Sequence, residues 1–184
     1  MRPLVYLRSM TALGCVVALA LGAAACGDDE PGVDEPAREG LALELDGVDY
    51  NVFITRQLNL AVTPDDAYYD GPEPEQGETL YGVFLQTCNN SDETLETVED
   101  FLVVDSQGNE FEPEELPEDN QFAYHPRELP PKECIPEAGS VAQLGPTAGS
   151  MLLFKLPLEN TENRPLELEI EGEGDEKLTF ELDI

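Results

Sequence analysis

Four cysteines and a single histidine are the side chains on which covalent or acid–base chemistry could turn in this 184-residue chain. Cys15 lies inside an apolar run from Met10 to Leu21, and Cys26 directly follows the small residues Gly22, Ala23, Ala24 and Ala25. Cys88 and Cys134 stand far apart in the remainder, and His125 sits in Tyr124-His125-Pro126 within a proline-rich stretch. A nucleophile needs a base within hydrogen-bond reach, and one histidine with no companion motif reads as a loop residue. The 40 acidic residues make chance carboxylate pairs certain, so a glycosidase-type pair cannot be singled out. No catalytic residue is assigned, and the chain is not read as an enzyme.

Cys26 has the most telling surroundings. Arg2 and Arg8, the apolar run and the small residues come in the order of a secretory signal peptide over residues 1–25. The run falls short of the ~20 apolar residues that span a bilayer, and Asp28, Asp29 and Glu30 follow it, so it is expected to be cleaved rather than retained. Small residues placed immediately before a Cys resemble the bacterial lipobox, in which a diacylglyceryl group joins the thiol and the peptide is cut just ahead of it. Cys26 is then the lipidated N-terminus. One acyl chain anchors only marginally at ~0.8 kcal/mol per methylene, whereas two or three hold firmly. The expected location is the extracytoplasmic face of the cell membrane, or the outer membrane where the source has one, with the bilayer touched through the lipid alone.

With Cys15 removed and Cys26 lipidated, Cys88 and Cys134 are two thiols of an exported domain and read as one disulfide. Its loop of about 47 residues is worth ~4 kcal/mol by chain entropy. Two distant Cys and one His do not suggest a metal centre, and no metal or cofactor is assigned. Loss of residues 1–25 leaves seven basic residues against 40 acidic ones, a net charge of about −33. Such a chain repels phosphate backbones and anionic headgroups, which excludes nucleic acid as a partner and favours solubility and standoff from the envelope. Calcium or a small ligand held by acidic loops is the alternative, through Asp65, Asp66, Asp70, Glu73 and Glu75. The segment after Asp105 has its glycine at the wrong place for an EF-hand and fits a hairpin turn better.

Residues 26–40 are acidic and nearly devoid of apolar side chains, and read as the lipidated Cys plus a disordered spacer. From residue 41 to 184 strand periodicity dominates. Leu41, Leu43 and Leu45 share a face, as do Tyr50, Val52 and Ile54. Leu80 to Leu85 read as a buried strand, Leu95 to Asp105 as one long strand, and Ser140 to Leu144 and Ser150 to Leu156 as two more. Leu166, Leu168 and Ile170 alternate with glutamates, and Leu178, Phe180, Leu182 and Ile184 follow as the partner arm of a hairpin. Prolines 113, 117, 126, 130, 131 and 136 make residues 112–137 irregular. About seven to nine short strands in one domain predict an all-β antiparallel sandwich.

Residues 79–157 resemble a family of bacterial immunoglobulin-like lipoprotein domains that shares the fold of the mycobacterial secreted immunoprotective antigen. The resemblance rests on the strand around Tyr81 and Val83, the Asn89-Asn90-Ser91-Asp92-Glu93 turn, Asp100-Phe101, the Val104 to Asn109 segment and Leu152-Leu153-Phe154-Lys155-Leu156-Pro157. It implies an immunoglobulin-like fold in an exported adhesion-like or accessory class, and no reaction. The antibody-type disulfide with its packed Trp is missing, so the bridge is expected to staple the Pro-rich loop to the Cys88 strand. Tyr68, Tyr69, Phe122 and Tyr124, aromatics in loops, are the candidate contacts for an unidentified envelope protein or ligand. The functional expectation is a membrane-anchored, non-enzymatic binding or accessory module.

Overall fold

The structure is a computed structural model describing residues 30–174 and 176–184; the expected signal peptide, its expected cleavage point and Cys26 lie outside the described residues. Twelve strands follow one another among the described residues: β1 (Ala37–Arg38), β2 (Ala42–Leu45), β3 (Val48–Leu58), β4 (Glu78–Cys88), β5 (Leu95–Glu96), β6 (Asp100–Asp105), β7 (Glu110–Phe111), β8 (Glu128–Leu129), β9 (Cys134–Ile135), β10 (Ser150–Pro157), β11 (Leu166–Glu171) and β12 (Lys177–Glu181). Five of them, β1, β5, β7, β8 and β9, are two residues long, which leaves seven of at least four residues and meets the expected count.

Two sheets stack face to face, with strand orders β10-β4-β3-β2 and β1-β12-β11-β6-β7; β9 pairs with the end of β4. The chain lays β3 and β4 in the first sheet, crosses to β6, returns for β10 beside β4, and crosses again for β11 and β12 beside β6. That is immunoglobulin-type connectivity, with β3, β4 and β10 in the places of strands A, B and E and β6, β11 and β12 in those of C, F and G. The core between the sheets is built by the alternation seen in the sequence. Leu166, Leu168 and Ile170 of β11 and Leu178 and Phe180 of β12 meet Tyr81, Val83 and Leu85 of β4 and Leu152, Phe154 and Leu156 of β10. Two buried tyrosines hold the bend before β6: the Tyr50 hydroxyl accepts from Val98 N (2.9 Å), and the Tyr124 hydroxyl donates to Val98 O (3.1 Å). Burial pushes both phenols above their ordinary range.

Four details depart from the sequence reading. Residues 30–40 are seated on the domain rather than forming the end of a free spacer: Ala37 is 2% exposed, β1 runs parallel to β12, and Thr179 N donates to Gly32 O at 2.8 Å. In β3 a bulge between Val52 and Ile54 resets the inside–outside parity, because one extra residue flips every later side chain to the other face. Ile54 is therefore exposed instead of sharing the buried face of Tyr50 and Val52. The stretch Leu95 to Asp105 is not one strand. It breaks at Thr97, which exchanges backbone and hydroxyl hydrogen bonds with Arg127, and β5 pairs with β8 as a separate ribbon. Ser140 to Leu144 is a single helical turn, α1 (Val141–Leu144), because the Ser140 hydroxyl caps it by accepting from Gln143 N.

Candidate functional site

A second apolar surface lies on the outer side of the β10-β4-β3-β2 sheet, and the bulge in β3 adds Leu58 to it. Leu58, Leu80, Phe84, Met151 and Leu153 face outward there, with Tyr68 packed among them. Gly82 keeps this surface flat: a Cβ at that position would lie 2.9 Å from the Phe84 ring and 3.1 Å from Met151 Sδ. Two irregular segments, residues 59–77 and 113–125, cover it. Tyr68 is fully buried, edge-on to Phe84 (ring centroids 5.0 Å apart) and to Phe122 (4.9 Å). Its hydroxyl accepts from Thr147 N at 3.2 Å, and Asn120 Nδ2 donates to its carbonyl at 2.9 Å. Arg56, turned outward by the bulge, forms an ion pair with buried Asp65 and donates to Thr147 Oγ1 at 3.3 Å. Asn59 N also donates to Asp65.

This arrangement removes most of the expected recognition patch from the surface. Tyr68 is a pillar of the outer core, while Tyr69 and Phe122 pack half-buried against it. Tyr124 belongs to the core between the sheets, edge-on to Phe101 at 5.1 Å. The aromatics lie in loops because those loops have a core of their own to fill. The proline-rich segment also closes the free edge of β10: Tyr124 N and Glu114 N donate to Met151 O and Leu153 O, and Met151 N donates to Phe122 O. Lys155 pairs with Glu114 at 3.2 Å on the same edge. A covered edge with a charged side chain resists pairing with another chain.

The expected bridge is present. Cys88 and Cys134 face each other across β4 and β9, with Cα atoms 4.1 Å apart, so the disulfide ties the proline-rich loop to a central strand within one sheet. Beside it Asn89, fully buried, donates from Nδ2 to Glu93 O (2.7 Å) and Leu129 O (2.8 Å) while its Oδ1 accepts from Ser91 N. An amide so occupied fixes the Asn89-Asn90-Ser91 turn against the loop before β9.

The carboxylates also sort into roles. Asp65, the first member of the suggested cation loop, is committed to Arg56, and among the described residues no group of three His, Cys, Asp or Glu side chains is placed to hold a metal ion. Asp105 closes the β6–β7 hairpin. Burial opposes its charge, but hydrogen bonds from Asn160, from the Asn109 side chain and backbone, and from Asn163 outweigh that cost and hold its carboxyl well below the usual range. Among the described residues, the buried Nε2 of His125 has no hydrogen-bond partner. An opening of about 710 Å³ lies at one end of the sandwich, lined by Asp46, Glu96, Glu99, Asp100, Glu171 and Glu173 together with Arg127. Sequence reasoning missed this end because these carboxylates come from three separate segments.

No family model matches the chain, and no curated protein matches its sequence, so the family likeness stays a resemblance. Among solved structures, one of a Bacillus subtilis protein described as a candidate lipoprotein is 12% identical with a TM-score of 0.48, over 79% of this chain and 38% of the other. This chain thus spans well under half of that protein. A conserved hypothetical protein from Bacillus anthracis is 11% identical with a TM-score of 0.47, covering 77% and 93% of the two chains. An uncharacterized β-sandwich protein from Clostridium difficile is 14% identical with a TM-score of 0.45, covering 84% and 100%. Likeness at this level assigns no activity, and the fold rests on the strand order itself.

Proposed function

We propose that this chain is a membrane-anchored extracytoplasmic lipoprotein whose sandwich serves as a non-enzymatic binding or accessory module of the cell envelope. The observation that carries the anchor is the fate of the cysteines. Cys88 and Cys134 are joined to each other, so once the leader is removed Cys26 is the one thiol left, at the residue where lipobox-like small residues end. An exported domain with a free thiol is chemically exposed, and lipidation resolves that. The disulfide also suits an oxidising compartment. For the module, the support is a domain in which buried Asp65, Asn89, Asp105 and Tyr68 are spent on holding loops.

The anchor is tested by intact mass of the membrane-extracted protein. A diacylglyceryl increment on Cys26, lost together with membrane association in Cys26→Ala, supports it; an unmodified Cys26 overturns it. The module reading is tested by crosslinking the lipidated protein in cells and identifying what copurifies. One stoichiometric envelope component supports it, and none above background overturns it.

A further inference from the structure

The anchor reading and the docking of residues 30–38 together fix something neither gives alone. β1 is parallel to β12, with Ala37 opposite Phe180 and Arg38 opposite Glu181, so the residues before β1 lie toward the Lys177 end of β12. Gly32 O accepts from Thr179 N, a position that brings Gly32 against the Leu43 and Leu178 side chains, and Gly32 N donates to Glu35 O at 2.6 Å. Lys177 faces Glu171, which faces Asp100, and Glu173 N donates to Asp46 Oδ2 at 2.8 Å. The chain thus enters the fold at the end that carries the Asp46 turn and the acidic opening. Only Gly27, Asp28 and Asp29 separate Cys26 from Glu30. Even fully extended, that link reaches about 14 Å.

We infer that the lipid holds the sandwich against the bilayer with its Asp46 and Glu173 end next to the headgroups, instead of letting it float on a long spacer. This rests on lipidation at Cys26. The neighbouring surface is the lipid bilayer itself, met by a carboxylate-rich rim, so the short link and not charge attraction keeps the two together. The far end, at the Ser106 turn, stands off by the length of β6, roughly 20 Å for six residues.

The test uses the full lipidated chain in phosphatidylcholine vesicles containing a lipid-borne acceptor dye. Donor dyes are placed on Glu173→Cys and, separately, on Ser106→Cys, each providing the sole free thiol. Transfer from position 173 is expected to exceed that from 106 at least about twofold, given a ~20 Å difference in height. An insert of about fifteen Gly and Ser residues after Gly27, adding roughly 20 Å of reach, is expected to bring both signals down and together. Ala37→Glu, which places a charge in the seat of β1, is expected to equalise them by releasing the strap, with new proteolytic cleavage in residues 30–40. Equal transfer from the two positions in the unmodified chain, with the lipid mass present on Cys26, overturns the orientation alone. Absence of that mass overturns the anchor and the orientation together.

Discussion

The two cores of this molecule use different materials. Between the sheets, apolar side chains alternate along regular strands and meet across them, and Leu168, Ile170, Phe154 and Phe180 are fully enclosed. On the outer face of the β10-β4-β3-β2 sheet, irregular backbone is held down by one aromatic pillar, one ion pair and a few side-chain bonds to carbonyls and amides. Backbone groups in a loop have no ladder to satisfy them, so a loop that covers apolar surface must find its partners one at a time. The first core defines the fold, and the second attaches a layer to it.

Substitutions in each core are expected to act differently. The largest loss is expected for Phe154→Ala, about 3–5 kcal/mol, seen as a single cooperative drop in urea midpoint by fluorescence and circular dichroism alike. Asp65→Ala leaves Arg56 and Asn59 N without their acceptor and is expected to cost roughly 2–3 kcal/mol, less than a fully buried pair because Arg56 is partly exposed. Its signature in hydrogen exchange is faster exchange in residues 59–77 and 113–125, with β11 and β12 unchanged. If those strands loosen equally, the two cores are one cooperative unit. Asp105 belongs to the first half. Because its carboxyl is held below the unfolded value near 3.9, its stabilisation is fully present above about pH 4 and is lost as pH falls further. Asp105→Asn is expected to melt lower at neutral pH and to lack that part of the acid dependence, in melting curves from pH 7 to 2. The smallest effect is expected for Tyr68→Phe, about 1 kcal/mol for the bond from Thr147 N, confined to the outer layer.

What the sequence made legible follows the same division. Leu166, Leu168 and Ile170, separated by glutamates, could only be a strand with one wet and one dry face. The unbroken apolar run at Leu80 to Leu85 could only be a strand buried on both. The bulge at Phe53 was hidden, because Tyr50, Val52 and Ile54 keep a period of two straight through it. The seat of β1 was hidden by composition: a single buried Ala37 amid prolines and carboxylates looks like spacer. Tyr68 and Phe122 were visible as aromatics in loops, but whether a loop aromatic faces a partner or its own domain depends on what lies beneath. Here the outward side chains of β4 and β10 decide it.

The parallel pairing of β1 with β12 also sets a schedule. Residue 37 finds its partner only when residue 180 has arrived, so β1 stays without its neighbour until about 140 later residues have been made. A domain closed in this way cannot complete itself from its first residues onward as synthesis proceeds. Among the described residues, the strand made last is the one that locks the first.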